Sequence, residues 1–296
     1  MTYIGEIAAL ITAACWAFGS LSFEASAKRI GSLSLNLIRL FMTFFMICIY
    51  SLIRFGNPFP VGVSGEQWLW LSLSGFVGFY LGDITFFKAF EVIGARTSMA
   101  IYSTVPVFTA IMGYFLLGET MSMLHLGGMF IAISGVILVV VSREPESGMG
   151  RDKLKFGVLM AFLGTLGQAG GLILSKKGMT YDPFIATQVR TITAIVLFSL
   201  TFTIIKRWGS FASGLRDSDG MKFAGLGAFF GPFLGVSLAL LAIQYTSTGI
   251  ASTLIGLTPI ILIPLSVFLK KERVNFREIL GTVIAIGGSS ILFIKG

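Results

Sequence analysis

Charged residues are scarce in this chain, and that scarcity excludes most soluble folds. Only 12% of the 296 residues are charged and 55% are hydrophobic, and the mean hydropathy is +0.88. Ordinary soluble domains carry roughly 25% charged residues. The apolar residues form long unbroken runs instead of the roughly 10-residue alternation of a membrane β-barrel. The composition therefore predicts an all-α membrane protein, with only short segments left outside the bilayer.

Histidine and cysteine are also scarce, and common catalytic motifs are missing. The one histidine, His125, has no second histidine or cysteine close by, so we expect no metal site. Cys15 and Cys48 lie inside apolar runs, which favours packing over a disulfide. The chain lacks a His-Glu-x-x-His motif, a Gly-x-Ser-x-Gly elbow and a Gly-x-x-x-x-Gly-Lys loop. We therefore predict no enzyme activity and no cofactor.

The formal net charge of +8 does not indicate nucleic-acid binding here, because most lysines and arginines fall between the apolar runs. At those positions they anchor loops and contact lipid headgroups. We expect the partners to be the lipid bilayer and a small-molecule substrate, with no nucleic acid. The first run carries Glu6 and lacks the basic start of a cleaved signal peptide, so we expect it to stay as a helix. The predicted location is the plasma or inner membrane.

Ten apolar spans can be recognised between polar or charged breaks. They cover about 4–23, 33–54, 68–90, 97–117 and 123–142, then about 154–174, 184–206, 222–245, 250–270 and 277–294. The break after the fifth span is rich in glutamate, glycine and charge. It predicts a linker over residues 143–153 between one domain at 1–142 and another at 154–296.

The two halves are repeats of each other. A shift of 153 residues superposes six glycines, prolines and glutamates on residues of the same type: Gly78 on Gly231, Gly82 on Gly235, Pro106 on Pro259, Glu119 on Glu272, Gly128 on Gly281 and Gly135 on Gly288. Slightly shorter shifts place Gly5 on Gly157 and Arg39 on Arg190. Because each unit has five spans, the second must cross the membrane in the opposite direction. Inverted repeats recur in secondary transporters, since two such units can open a central site to alternate sides.

Each half ends in a proline-containing helix, a terminal glutamate and a glycine-rich helix. The segments are VPVFTAIMGYFLLGET with LGGMFIAISGVILV, and TPIILIPLSVFLKKER with LGTVIAIGGSSILF. This pattern resembles the EamA-type branch of the drug/metabolite transporter superfamily over nearly the whole chain. The resemblance implies ten transmembrane helices in two inverted five-helix repeats, around a cavity formed by helices one, three, four, six, eight and nine. It also implies transport of an amino acid or similar small metabolite, with export as the expected direction.

The residues alone leave two other classes of protein open. An intramembrane enzyme would need a nucleophile or paired carboxylates at one depth, and Asp83 is the only deep acid. A passive channel or scaffold would not require a duplicated inverted unit. Exchange-stimulated uptake would separate a carrier from a channel.

Asp83 is the most informative charged residue within the spans. A charge inside the bilayer costs at least about 2.5 kcal/mol, so Asp83 needs a partner or a wet cavity. At 1.5 Å per residue, Asp83 and Arg39 both lie roughly 10 Å from the same membrane face, whereas Arg190 enters from the other face. We predict an Asp83–Arg39 ion pair or their joint approach to a polar substrate, and we expect Lys88 to snorkel or to pair with Glu91. A purely structural bridge is the alternative.

The remaining candidate substrate-binding residues are amides and aromatics inside the spans. Uncharged amides there need hydrogen-bond partners, which makes Gln168 and Gln244 candidates. Trp16, Tyr80 and Tyr102 lie in spans expected to line the centre, although most aromatics in such proteins face lipid or pack between helices.

The repeated prolines and glycines have structural explanations beside functional ones. Pro106 and Pro259 should each remove a backbone hydrogen bond and kink a helix near mid-span, as candidate hinges or only as a fit to the bundle. Glycines at four-residue spacing in the third and eighth spans favour close helix packing over a direct substrate role. Glu119 and Glu272 end their helices, where capping or loop pairing is expected.

Two arguments about orientation conflict. Ten spans place both termini on one side, and the resemblance implies that this side is cytoplasmic. The loops on that side hold few cations: Arg54, Lys176, Lys177 and Lys295. By the positive-inside rule the opposite, more basic face should be cytoplasmic, with both termini outside.

Overall fold

The residues that the structure, a computed structural model, describes are mostly helical. These are residues 3–117, 123–142, 150–180, 182–246, 248–271 and 274–291. The α-helices are α1 Ile4–Ile30, α2 Ser32–Phe55, α3 Gly65–Ser74, α4 Asp83–Tyr102, α5 Val105–Leu117, α6 Met123–Ser142, α7 Arg151–Lys177, α8 Pro183–Ile204, α9 Trp208–Arg216, α10 Ser218–Ala228, α11 Ser237–Tyr245, α12 Thr248–Ile255, α13 Thr258–Lys270 and α14 Phe276–Ile291. Two π-helical segments, Gly75–Gly82 and Phe229–Val236, join α3 to α4 and α10 to α11.

Each predicted span corresponds to one helix or to helical pieces that continue one another. Five continuous helices are long and apolar enough to cross a membrane: Ile4–Ile30, Ser32–Phe55, Arg151–Lys177, Pro183–Ile204 and Ser218–Tyr245. Val105–Phe115, Leu126–Val139 and Thr258–Leu269 are shorter apolar helices. The prediction of an all-α, multi-pass membrane protein with two inverted five-span repeats is confirmed.

The first helix is longer than the predicted span. It ends at Ile30 instead of near residue 23, and the single residue Gly31, with φ +79°, connects it to α2. The polar end of α1 remains helical because Glu24 forms a 2.9 Å ion pair with Lys28. The other carboxylate oxygen of Glu24 accepts a 2.8 Å hydrogen bond from the Ala95 N–H. Ala95 directly follows Gly94, where α4 is broken (φ +77°). Glu24 therefore ties α1 to α4.

A short helix, α9, lies in the break that was expected to be a loop before the eighth span. Its Trp208 and Phe211 rings contact each other and Phe202 of α8, with ring centroids 5.6–6.0 Å apart. At the end of α9, Asp217 accepts hydrogen bonds from the Gly220 N–H at 2.7 Å and the Arg29 Nε at 2.9 Å. These donors hold the pKa of Asp217 below its usual value and link the start of α10 to α1.

The fourth and ninth spans are each broken about a third of the way along. The first break separates α4 from α5, and the second separates α12 from α13. Pro106 and Pro259 lie in the first turn after each break. Each helix is interrupted just before its proline, where a kink near mid-span was predicted. The predicted loss of a hydrogen bond is wrong, because first-turn N–H groups have no partner within an α-helix. The Thr104 and Thr258 hydroxyls donate to carbonyls three residues back, both at 2.6 Å.

The fifth and tenth spans pack against each other through repeat-related glycines. A Cβ atom built on Gly135 would lie 2.3 Å from the backbone nitrogen of Ala285, and one on Gly288 would lie 2.3 Å from that of Ala132. Gly128 and Gly281 are also against partner backbone carbonyls, at 2.8 and 2.7 Å. Backbones this close leave no room for side chains, which confirms the packing interpretation for these glycines.

Candidate substrate-binding site

Two adjoining cavities lie between the two halves of the molecule. We name them the Arg39 cavity and the Arg190 cavity after the arginine that lines each one. Each encloses about 530 Å³ of empty space, open mouth included. Both are lined by Trp16, Tyr102, Gln168 and Val236. The Trp16 and Tyr102 rings meet edge to face, with centroids 5.5 Å apart, so this aromatic pair is part of the wall that the cavities share.

The resemblance assigns the first, third, fourth, sixth, eighth and ninth spans to the cavity, and all six contribute lining residues. The second span (α2) and the seventh span (α8) also line it, and each contributes a single arginine. Arg39 comes from α2 and Arg190 from α8. Each is the eighth residue of its helix, roughly 10 Å from the helix start. Because α2 and α8 start at opposite membrane faces, the two arginines enter the centre from opposite sides.

The predicted ion pair between Arg39 and Asp83 is confirmed. An Arg39 Nη2–Asp83 Oδ2 contact joins two nearly fully buried side chains. The other Asp83 oxygen accepts a 2.6 Å hydrogen bond from the Gln168 Nε2. Asn36 braces the pair: its Oδ1 accepts from the Arg39 Nε at 3.0 Å, and its Nδ2 donates to the Asp83 carbonyl at 3.2 Å. Both charged groups therefore have hydrogen-bond partners within the protein.

Aromatic rings surround the Arg39 guanidinium on the sides that Asp83 leaves free. Its central carbon lies 4.3 Å from the Phe87 ring centroid, 5.6 Å from Phe23 and 5.9 Å from Phe79. Cation–π attraction of this kind replaces part of the lost hydration of a buried guanidinium. The rings also give the Arg39 cavity an apolar wall.

Arg190 is equally buried but has different surroundings. Its side chain lies against Phe79, 4.3 Å from the guanidinium carbon to the ring centroid. Its Nε is fully buried without a hydrogen-bond partner. Within the part of the chain that the structure describes, no carboxylate forms an ion pair with Arg190. The repeat counterpart of Asp83 is Val236, which cannot supply one.

Glycines allow the close approach that assembles this centre. Asp83 directly follows the first π-helical segment, and Val236 ends the second; π-helices are rare and often mark functional sites. A Cβ on Gly167 would lie 2.5 Å from the Gly82 Cα, so α7 brings Gln168 to Asp83. In the second half a Cβ on Gly235 would lie 2.4 Å from the Trp16 ring. These contacts confirm the packing interpretation of the glycine stripes, that is, of the glycines at four-residue spacing in the third and eighth spans.

The structure brings five of the seven candidate residues together around the two cavities, namely Trp16, Arg39, Asp83, Tyr102 and Gln168. The other two lie elsewhere. The Tyr80 hydroxyl forms a 2.6 Å hydrogen bond with Thr201, and its ring packs against Phe198 of α8. Gln244 donates a 2.8 Å hydrogen bond to the Thr180 carbonyl near the end of α11.

Other sequence expectations have separate outcomes. Pro106 lines the Arg190 cavity, whereas Pro259 is buried but is not among the lining residues. The Lys88–Glu91 ion pair is present at 2.7 Å, as predicted. Glu119 and Glu272, and the side chain of His125, lie outside the described residues. The described residues contain no group of three histidine, cysteine or acidic side chains that could hold a metal.

Sequence reasoning missed Arg190 as a residue of the centre, although the repeat alignment contained the signal. That alignment pairs Arg190 with Arg39, which was already a candidate. The shift that superposes Gly5 on Gly157 also superposes Trp16 on Gln168, and both residues line both cavities.

Comparisons with known proteins agree on one class. A model of the EamA-like transporter family matches residues 3–141 and 155–294. An uncharacterized transporter of Archaeoglobus fulgidus is 25% identical over 286 residues, which is 95% of each chain. The uncharacterized transporter YetK of Bacillus subtilis is 23% identical over 225 residues, 76% of this chain and 68% of the relative. A solved crystal structure has the same fold, with a TM-score of 0.62 and 15% identity over 97% of this chain and 96% of that one.

Proposed function

The chain belongs to the EamA-like transporter family, a family of membrane transporters, and we propose that it is a secondary carrier. It moves a small organic metabolite by alternating access. One observation carries the proposal: two adjoining cavities, each with a buried arginine at a repeat-related position, share the Trp16–Tyr102 pair in their wall. Related units that approach a common centre from opposite faces can exchange conformations and expose it to each side in turn.

The chemistry of the lining favours a substrate that is partly polar and partly apolar. The polar lining includes the ion pair of Arg39 with Asp83, the Gln168 amide, Arg190 and the hydroxyl groups of Ser20, Tyr102 and Ser252. The rest of the lining is mainly aromatic or aliphatic, as in most sites for small molecules. An amino acid or a similar metabolite meets both requirements, and we propose export as the direction of transport.

Counterflow in proteoliposomes tests carrier function directly. Vesicles preloaded with an unlabelled amino acid should take up the same labelled amino acid faster than empty vesicles do. A panel that covers aliphatic, aromatic and acidic amino acids samples the chemistry of the lining. Because only a carrier couples the two fluxes, uptake that preloading never stimulates would contradict the proposal.

Asp83→Asn tests whether the buried ion pair takes part in transport. Loss of the carboxylate removes the charge balance of Arg39, and we expect exchange to fall at least about tenfold, equivalent to about 1.4 kcal/mol. The melting temperature should show that the variant is folded. Asp152→Asn, an exposed residue at the start of α7, is the matched control. A folded Asp83→Asn protein that transports normally would make the bridge purely structural.

Labelling of two introduced cysteines decides the orientation. Ser213, on α9, is exposed at the basic face, and Asn57, after α2, is exposed at the opposite face. In a background without Cys15 and Cys48, an impermeant thiol reagent applied to intact cells should label only one of the two. Labelling at residue 213 places the termini in the cytoplasm, and labelling at residue 57 places them outside.

A further inference from the structure

We propose that the Arg190 cavity binds the carboxylate of the transported substrate, with Arg190 and Ser252 as its hydrogen-bond donors. The proposal rests on the transport function proposed above and specifies the substrate class: an organic acid or amino acid with an apolar body. Arg190 therefore acts as a binding residue.

Two residues that line this one cavity each have a buried polar atom without a hydrogen-bond partner. The Nε of Arg190 and the hydroxyl of Ser252 are both buried and both without a hydrogen-bond partner. Buried polar groups are nearly always hydrogen-bonded, because an unpaired one loses its interactions with water and gains nothing in return. Two such donors in one cavity therefore point to an acceptor supplied from outside the protein.

The charge of the centre points to an anion. Among the described residues, the charged ones that line the two cavities are Arg39, Asp83 and Arg190, and their charges sum to +1. The Asp83 carboxylate already accepts from Arg39 and Gln168. A buried cation without a counter-ion is costly, so a carboxylate that enters the cavity gains from both charge and hydrogen bonding.

The other walls define the body of the substrate. Leu172, Leu240 and Ile255 line the cavity together with the Trp16 and Tyr102 rings. These surfaces are apolar, so they select an aliphatic or aromatic group next to the carboxylate. Arg39, the repeat counterpart of Arg190, does not offer such a site, because it is already paired with Asp83.

Ligand-dependent melting of the purified full-length protein in nanodiscs tests the proposal with matched probes. Phenylacetate and isovalerate carry the carboxylate, whereas phenylacetamide and isovaleramide have the same bodies without the charge. The carboxylates should raise the melting temperature, and the amides should not. An equal rise with the amides, or no rise with either carboxylate, would overturn the proposal. A rise with phenyl phosphate alone would overturn the carboxylate as the recognised group.

Variants localise the binding. Arg190→Gln should weaken phenylacetate binding at least about tenfold, and Arg190→Lys should retain part of the affinity because it keeps the charge. Ser252→Ala should weaken binding about threefold, through the loss of one hydrogen bond. Arg54→Gln, at the exposed end of α2, is the matched control and should bind as the wild type does. Unchanged binding in Arg190→Gln would overturn the proposal.

The ligand-free protein provides a second measurement that does not depend on the choice of probe. If no carboxylate of the protein balances the Arg190 charge, Arg190→Gln should melt at or above the wild-type temperature. A clear decrease would mean that the protein itself satisfies Arg190, and the proposal would fail.

The experiments also separate this inference from the transport function. If the protein binds carboxylates but shows no counterflow, the proposed carrier function is contradicted and the proposed anion site still stands. If Arg190→Gln leaves counterflow unchanged, the proposed anion site is contradicted and the proposed carrier function still stands.

Discussion

Arg39 and Arg190 occupy matching positions in the two repeats, yet among the residues that the structure describes only Arg39 has a carboxylate partner. Arg39 is paired with Asp83 and braced by Asn36, whereas the buried Nε of Arg190 has no partner. The difference traces to one pair of positions, since the counterpart of Asp83 is Val236. Duplication therefore preserved the arginine and its burial, and the departure at its partner position makes the two halves chemically different.

The glycine stripes show the same kind of difference in packing. A Cβ on Gly75, in the third span, would lie 2.6 Å from the backbone oxygen of Arg190, so Gly75 packs against backbone. A Cβ on Gly227, in the eighth span, would lie 2.4 Å from the Phe23 ring, so Gly227 packs against a side chain. One motif thus serves two kinds of contact, and only the second can relax by moving a ring.

The largest expected effect comes from removal of Arg39. Arg39→Gln leaves the Asp83 charge buried without its cation, and breaking a buried pair in this way costs about 3–5 kcal/mol. The double variant Arg39→Gln/Asp83→Asn removes both charges and should recover most of that loss. Unfolding in detergent measures both variants. Equal destabilisation of the single and double variants would contradict the pairing.

The glycine contrast predicts a smaller difference in stability. Gly75→Ala should cost about 1–3 kcal/mol, because its methyl group meets backbone that cannot move aside. Gly227→Ala should cost less, because the Phe23 ring can shift. Gly225→Ala has no neighbouring atom within 4 Å and should be neutral or slightly stabilising, which makes it the control. Thermal unfolding of the three variants would refute the contrast if Gly227→Ala were the most damaging.

Val236→Asp should reduce the asymmetry by giving the second half a carboxylate. Val236 lines the Arg190 cavity, so the new charge should compete with phenylacetate and weaken its binding about tenfold, or about 1.4 kcal/mol. Val236→Asn has the same shape without the charge and should weaken binding much less. If the two variants weaken binding equally, the steric change explains the effect and the charge does not.

The prolines should have the smallest effect on stability. Pro106 and Pro259 lie in the first turns of α5 and α13, where a proline replaces an N–H that has no helical partner. The double Pro→Ala variant should insert normally and lose less than about 1 kcal/mol of stability. It should nevertheless slow counterflow, because an alanine lets the helix continue across the break. Unchanged turnover would mean that both prolines serve only helix packing and are not hinges.

Much of the fold follows from one-dimensional features of the chain. Span lengths, the repeat shift and the depth of a residue along its helix depend only on counting, which is why the ten spans and the Arg39–Asp83 pair could be predicted. Local hydrogen bonding could not be predicted by such counting. Glu24 caps the segment after Gly94, so α1 extends beyond its apolar run, and α9 forms where composition indicated a loop.

By itself, the sequence determined the membrane environment, the inverted duplication and the identity of the buried charges, because hydropathy and residue spacing carry that information. Only the tertiary structure decided which side chains converge. Tyr80 and Phe79 are neighbours in a π-helical segment, yet Phe79 lies against both arginines while Tyr80 bonds to Thr201 of α8. Their directions depend on local helix geometry, which spacing alone does not specify. Within the described residues the Nε of Arg190 has no hydrogen-bond partner, and this too is a property of packing, since it depends on every neighbour that surrounds the guanidinium in three dimensions.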